Sequence, residues 1–326
     1  HPCSLPEIWR ELRNILHSEI TAKGLALCID AVDVRHEDIY CDKLRLDQVF
    51  LNLLSNAVKF TGTGGQITVR IVEKPCEREG FASYVFTVKD TGIGMSEDFL
   101  SRIFEPFERE RNSTISGIQG TGLGMAITKN LVDMMGGAIT VKSRQGFGTE
   151  CTVSLTLSLS SGESGPQAGP ELKDVRALVA GADLNTCTSV TAMLRQMGVE
   201  SEWTMSGREA ILYACQAANE KKGRLLYIID RFLPDMNGVE VARRIRQEAG
   251  PDAPILVLSS SGWSDIEAQA REAGVAAFCG KPLFFSELRR CVCSAVCPEQ
   301  DRETGPSQRQ VRRTGRILLA EDNELN

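Results

Sequence analysis

At 326 residues, 42% hydrophobic and 25% charged, the chain has the make-up of a soluble globular protein long enough for two or three domains. Its net charge of −6 argues against nucleic acid or an anionic membrane as the main partner. No apolar run approaches the length of a membrane span, and eleven dispersed cysteines read as free thiols of a reducing cytoplasm rather than a disulfide framework.

Residues 5–23 place Ile8, Leu12, Ile15, Leu16 and Ile20 at helical spacing, and Gly24 ends the pattern. Two short strands are expected at 25–34 and 39–41. Residues 43–60 then run for eighteen positions without Gly or Pro, which predicts a helix. Leu44, Val49, Phe50, Leu51, Leu53, Leu54, Ala57, Val58 and Phe60 cover most of its circumference. One narrow polar stripe remains: Arg45, Gln48, Asn52, Asn56 and Lys59, three or four apart and so on one face. Asn is a poor mid-helix residue because its side chain competes with the backbone for hydrogen bonds. An amide oxygen suits Mg²⁺, and a Lys one turn on suits phosphate. A buried polar seam between helices is the other reading of this stretch, and the stretch alone does not choose.

Strands are expected at 66–73 and 82–89, with a charged hairpin between them. D-T-G-I-G follows at 90–94: an acceptor at a strand end, then glycines that let a flat ring approach the backbone. Phe104 and Phe107 precede a polar, aperiodic segment reaching 121, expected to be a long functional loop. G-T-G-L-G at 120–124 opens a helix predicted over 125–135. Glycine-rich backbone entering a helix N-terminus is suited to anions. Strands at 138–143 and 150–158 are joined by a turn through Gly146 and Gly148.

With these stretches in this order, residues 5–157 resemble the catalytic and ATP-binding domain of sensor histidine kinases, an α/β sandwich of the Bergerat fold. The resemblance rests on the N, G1, F, G2 and G3 boxes at Asn52 to Phe60, Asp90 to Gly94, Phe104 to Phe107, Gly120 to Gly124 and Gly146 to Thr149. It implies that Asn56 coordinates Mg²⁺, that Asn52 stands beside metal and phosphates, and that Lys59 contacts a phosphate. It implies further that Asp90 accepts from the adenine amino group, with Thr149 completing that contact through water. Gly92 and Gly94 would floor the base pocket, Gly120, Gly122 and Gly124 would cradle phosphates, and Phe104 and Phe107 would anchor a lid. Related gyrases, mismatch-repair ATPases and anti-sigma kinases carry a Glu general base four residues before the metal Asn. Here that place is Asn52, and an amide cannot take a proton near neutral pH. The departure fits phosphoryl transfer to an imidazole, part of which is already neutral.

Residues 159–172 are a Ser/Gly/Pro linker. Beyond it, strands expected at 175–180, 225–229, 254–258 and 276–279 alternate with helices at 186–196, 208–218, 238–249, 266–273 and 285–296, which predicts a doubly wound parallel sheet. Asp230, Ser259 and Lys281 with Pro282 stand at strand C-termini, where such sheets do their chemistry. The set resembles a response-regulator receiver domain over 173–297. The resemblance implies Asp230 as phosphoacceptor, with Ser259 and Lys281 on the phosphoryl group. Receivers also need an acidic pair after the first strand. Residues 316–326 look like the start of a second receiver, and against them Glu321 and Asp322 fall opposite Gly181 and Ala182. The first receiver therefore lacks its metal-binding pair, keeps only Asp183 nearby, and is expected to be a pseudo-receiver whose Asp230 is phosphorylated poorly. Residues 298–314 form another linker, and 315–326 open the second receiver, with Glu321 and Asp322 as its Mg²⁺ ligands.

The histidines are His1, His17 and His36. His17 lacks the acidic, basic and proline neighbours of the family's reactive histidine and reads as an exposed helix residue. The phosphoacceptor hairpin is expected before residue 1, in a longer parent protein, with helix 5–23 continuing from it. The domain order 1–158, 173–297 and 315–326 thus implies the ATP- and Mg²⁺-dependent part of a hybrid histidine kinase. Its implied partners are its own hairpin, receiver domains and phosphotransfer domains, and not nucleic acid. The family analogy implies a homodimer, often tethered to a membrane. An ATP-hydrolysing clamp and a nucleotide-binding scaffold are the rival classes.

Overall fold

The computed structural model describes residues 1–32, 34–108, 122–160, 172, 174–220, 224–259, 267–281 and 283–297. Gly120, Pro282, Glu321, Asp322, the linker at 298–314 and most of that at 159–172 lie outside the described residues.

The first sheet has the order β1 (Pro2–Ser4), β3 (Asp38–Tyr40), β7 (Gly148–Leu159), β5 (Phe81–Asp90), β4 (Gln66–Lys74), β2 (Ala26–Val32), with β6 (Ala138–Arg144) also paired to β7. β2 and β4 run parallel and β5 is antiparallel to both its neighbours. Along β5, Ala82, Tyr84, Phe86 and Val88 are buried, the alternation of a strand with one face on a core. That period carries Asp90, the next residue of the same face, under the helical layer.

The helices of this domain are α1 (Leu5–Ala22), α2 (Lys43–Phe60), the single-turn α3 (Glu97–Leu100) and α4 (Gly124–Met134). α2 packs on β5 and touches both α1 and α4. Leu46, Val49, Phe50, Leu53, Leu54, Ala57 and Val58 are its buried residues. Trp9 of α1 and Phe86 of β5 both pack on Phe50 in tilted ring contacts, with centroids 4.8 Å apart in each pair. Each such ring contributes about 1.5–3 kcal/mol by leaving water. The Asp42 carboxylate caps α2 by accepting from the Arg45 N–H. At the other end, Lys23 Nζ donates to the carbonyls of Val58, Lys59 and Thr61 at 2.7, 3.0 and 3.2 Å, closing the last turn with a cation.

The second sheet is parallel throughout, in the order β12 (Ala277–Gly280), β11 (Ile255–Ser259), β10 (Arg224–Asp230), β8 (Val175–Ala180), β9 (Glu200–Thr204). The helices between are α5 (Leu184–Gln196), α6 (Gly207–Glu220), α7 (Gly238–Ala249) and α8 (Glu267–Glu272), and α9 (Phe285–Val296) follows β12. Leu226 and Ile228 of β10 enter one apolar cluster while Tyr227 and Ile229 enter the other. A strand buried on both faces reads as a continuous apolar run, which is why this one was visible in the sequence.

Some boundaries differ from expectation. β7 continues to Leu159, whose N–H donates to the Gly80 carbonyl at 2.8 Å, and the Ser160 N–H donates to the Asp38 carbonyl at 3.1 Å. The first domain therefore reaches residue 160. Leu172, assigned to the linker, is buried in the core of the second domain. β1, β9 and α3 have no counterpart among the expected elements. α1 does not stand off as a connector: Leu5, Ile8, Trp9, Leu12 and Leu16 are buried in the first core. Among the described residues, no helix is long and apolar enough to cross a membrane.

Candidate nucleotide and acceptor sites

A cavity of about 260 Å³ opens between α2, the end of β5 and the start of α4. Of the polar stripe of α2, Asn52, Asn56 and Lys59 line the wall, together with Asp90, Gly94, Gly122, Gly124 and Thr149, whereas Arg45 and Gln48, nearer the start of the helix, do not. Val88, Ile93, Met95, Phe99, Ile103 and Met125 supply an apolar side, as expected of a pocket for a planar ligand with a few fixed polar contacts.

Asp90 is the most constrained of these groups. Its Oδ1 accepts from the Gly92 N–H at 2.8 Å and the Thr149 N–H at 3.3 Å. Burial pushes its carboxyl above the ordinary range, and the two N–H donors pull it partly back. Thr149 is held in turn by Ser143, whose Oγ lies 2.9 Å from Thr149 Oγ1, donates to the Gly148 carbonyl and accepts from the Met95 N–H. Burial also pushes the Cys151 thiol, on the same wall, up to about 12, so it is an inert apolar group there.

The glycines have separate reasons. At Gly94, in the left-handed region at φ 63°, a Cβ would overlap the Arg144 carbonyl oxygen. At Gly92 a Cβ would strike the Phe60 carbonyl; this residue stands behind Asp90 and organises it rather than lining the cavity. Gly124 touches Asn52 so closely that a Cβ would overlap Asn52 Oδ1. Asn52 Nδ2 donates to Thr128 Oγ1 of α4 at 2.7 Å. The two readings of the stripe therefore meet in one residue, which ties α2 to α4 and also faces the cavity. Among the described residues, Asn56 Nδ2 donates to the soft Met125 Sδ, at 3.7 Å.

Phe104 and Phe107 do not line the cavity. Phe104 packs against the core, whereas Phe107 is 73% exposed at φ 67°. The Phe107 N–H donates to the Gly122 carbonyl at 3.0 Å, joining the two ends of the segment 109–121, which lies outside the described residues. Among the described residues the carboxylates on the wall are Asp90 and Glu108, and the latter pairs with Arg102 at 3.0 Å. Lys23 and Ser143 were missed by sequence reasoning, and no motif marks either; Ser143 ends a strand and Lys23 a helix. His17 is exposed on α1.

In the second domain, strand register brings Asp230, Ser259 and Lys281 to the same sheet edge, with Lys281 Nζ 2.6 Å from Asp230 Oδ2 and 3.4 Å from Thr186 Oγ1. Gly181 follows β8 at that edge. A Cβ there would overlap Cys187 Sγ, so the position is closed to any larger side chain. The nearby acid, Asp183, caps α5: one oxygen accepts from the Thr186 N–H at 2.8 Å and the other from its hydroxyl at 3.2 Å. Among the described residues, no group of three or more His, Cys, Asp or Glu is placed to hold a metal.

Comparison with known proteins agrees with both halves of this geometry. Residues 41–160 match the family described as histidine kinase-, DNA gyrase B- and HSP90-like ATPase, and residues 178–292 match the response regulator receiver domain. The autoinducer 2 sensor kinase/phosphatase LuxQ of Vibrio parahaemolyticus is 31% identical over 296 residues, 87% of this chain and 33% of its own length. The virulence sensor protein BvgS of Bordetella bronchiseptica is 33% identical over 287 residues, 82% of this chain and 22% of its own length. The chain thus spans a third or less of these relatives. The structure of full-length ShkA in complex with AMPPNP shares the fold, with a TM-score of 0.56 at 24% identity, covering 91% of this chain and 57% of that one. The chain belongs, over 41–160, to the histidine kinase-, gyrase- and HSP90-like ATPases and, over 178–292, to the response regulator receivers.

Proposed function

We propose that this chain is the ATP-binding catalytic part of a hybrid histidine kinase, transferring the γ-phosphoryl group of Mg-ATP to a histidine on a hairpin outside residues 1–326. The observation that carries this reading is the convergence of Asn52, Asn56 and Lys59 with Asp90 and Gly124 on one cavity. Asp90 accepts the adenine amino group, and Thr149, fixed by Ser143, completes the contact. The N–H groups of Gly122, Gly124 and the first turn of α4 receive phosphate oxygens. Lys59 adds a cation beside them.

Mg²⁺ fits this wall. Asn56 offers an amide oxygen on the wall for which no protein donor competes among the described residues, and Mg²⁺ takes few protein ligands when phosphates supply the rest. Asn56 would hold the ion, with Asn52 one turn away, and the ion would neutralise charge on the phosphates. Among the described residues, neither wall carboxylate is free to deprotonate water: Asp90 is bound by two N–H donors and Glu108 by Arg102. An imidazole needs no such base, because its neutral form already presents a lone pair. The site therefore positions rather than activates its acceptor.

The receiver is proposed to be a poor acceptor at Asp230. Gly181 and Ala182 replace the acidic pair, Asp183 is engaged as a helix cap, and Lys281 neutralises Asp230 directly. Phosphoryl groups would then pass to the second receiver, where Glu321 and Asp322 would hold Mg²⁺. In the longer parent protein the assembly is proposed to be a homodimer. The test is Mg²⁺-dependent binding of a fluorescent ATP analogue to the chain, followed by transfer to a supplied histidine hairpin. Asn56→Ala and Asp90→Ala should each weaken binding; unchanged affinity in both refutes the assignment. Stoichiometric labelling of Asp230 by a small phosphodonor with Mg²⁺ refutes the pseudo-receiver.

A further inference from the structure

The two domains touch through groups that neither domain's own chemistry explains. α9 begins after Phe284, which occupies the N-cap position and has no side chain able to accept a hydrogen bond. The missing acceptor comes from the ATPase domain. Both oxygens of Glu37 lie 3.3 Å from the Ser286 N–H, and the Ser286 hydroxyl donates to the same carboxylate. Glu37 is only 7% exposed, although charged residues this buried are rare without a partner. Phe284 itself is 1% exposed and is buried in the ATPase core cluster rather than in either receiver cluster. A third contact grips the acceptor loop: Arg13 Nη1 of α1 donates to the Lys281 carbonyl at 2.8 Å. Lys281 is the residue whose Nζ holds Asp230. The edge strand β2 lies alongside, near enough for the Asp30 carboxyl to feel the charges of Lys281 and Asp183.

We propose that the outer edge of the ATPase domain, built by Arg13 and Glu37, is a docking surface for the acceptor face of a receiver, and that the receiver of this same chain occupies it. The occupant is fixed by the contacts: the surface supplies the N-terminal cap that α9 lacks and a socket for Phe284. None of Arg13, Asp30 or Glu37 lines the nucleotide cavity, so docking leaves that site open. It instead holds the backbone at Lys281, whose Nζ is bonded to Asp230. This inference does not rest on the nucleotide reading.

Amide hydrogen exchange of the full chain tests it. In Glu37→Ala and Arg13→Ala, exchange over 281–289 should rise about tenfold, the effect of losing one charge-assisted hydrogen bond. Exchange in the sheet at 175–180 and 66–74 should stay unchanged. Glu37→Gln keeps one acceptor oxygen, whose two lone pairs can serve both the Ser286 N–H and hydroxyl, and should retain protection. Binding of the ATP analogue should stay within twofold in all three, which separates this claim from the proposed function. Unchanged exchange over 281–289 in both alanine variants overturns the proposal. A rise spread through both sheets also overturns it, because the residues would then be holding folds and not a junction. Protection that appears only at high chain concentration assigns the surface to a second copy and overturns the stated occupant.

Discussion

On the proposed assignment of Asp90 to the adenine amino group, replacing this residue separates recognition of the base from the integrity of the fold. The carboxylate is an acceptor only, so it selects a base that presents an amino group. Its loss in Asp90→Ala removes a hydrogen bond to a charged group, about 1.5–3 kcal/mol, or roughly 10- to 150-fold in Kd for an ATP analogue. The N–H groups of Gly92 and Thr149 lose their acceptor as well, but water in the opened cavity can replace it, so that cost is small. Asp90→Asn is more discriminating. Its amide oxygen can still accept from both N–H groups, which turns the NH₂ toward the base. Two donors then face each other with adenine, whereas guanine offers an oxygen. ATP affinity should fall at least as far as in Asp90→Ala, and the preference for ATP over GTP should shrink or invert. Because burial raises the Asp90 carboxyl, removing its charge relieves a desolvation cost, and neither variant should lower the melting temperature. Titration of both nucleotides and a thermal melt measure this. An Asn variant that binds ATP within twofold of the native chain, with its preference intact, refutes the assignment of Asp90 to the base.

The same upward shift gives a pH dependence. Affinity for the ATP analogue should fall as pH drops through a value above the ordinary 3.8, and titrations of Asp90→Asn should be flat there; the fold itself gains stability from this group as pH falls, because the folded state binds its proton more readily than the unfolded chain. Gly124→Ala should displace Asn52 and cost the Asn52–Thr128 bond, about 1 kcal/mol, seen as several-fold weaker Mg²⁺-dependent binding without loss of the α4 signal by circular dichroism. Lys23→Ala, which uncaps α2, should cost about 1 kcal/mol and lower the melting temperature by roughly 2–4 °C. Introducing acids at 181 and 182 (G181E with A182D) should not restore labelling of Asp230 unless Cys187 is also reduced to Ala, because Cys187 Sγ fills the space; phosphodonor labelling reads this directly.

Helix α2 was legible residue by residue, because eighteen positions without Gly or Pro and an apolar circumference broken by one polar stripe leave few alternatives. The buried strands β8 and β10 were equally plain, being continuous apolar runs. β9 was not: Glu200, Ser201, Glu202 and Trp203 are partly or fully exposed on an edge strand, so no alternation marks it, and only pairing with β8 defines it. β1 is three residues long and exists through its ladder with β3. α3 did carry a signal, Ser96 before two acids, with Ser96 Oγ accepting from the Phe99 N–H. In the site, spacing marked Asn52, Asn56 and Lys59 with Gly94, Gly122 and Gly124, which the fold brings to one cavity, but did not show that Gly92 stands behind Asp90. Ser143 could not, since its role depends on three groups that the β6–β7 pairing brings together. The junction was least legible of all: Glu37 and Ser286 lie 249 positions apart, and no local pattern connects them.

Asn52 shows how packing and chemistry constrain one another here. A phosphate cradle needs the N-terminus of α4 close to the α2 stripe, and glycine at 124 permits that approach. The approach leaves no room beside Asn52, since one added carbon on Gly124 would already overlap its amide oxygen. A Glu at 52 would be a methylene longer and would have to push α4 away or turn its carboxylate aside. An amide fits, ties its NH₂ to Thr128, and turns the remaining wall toward the ligand without a base. Among the described residues the exclusion of a carboxylate at position 52 is thus tied to the helix spacing, and on the proposed function a domain so spaced would hold its nucleotide without consuming it until an acceptor arrives that needs no help losing a proton.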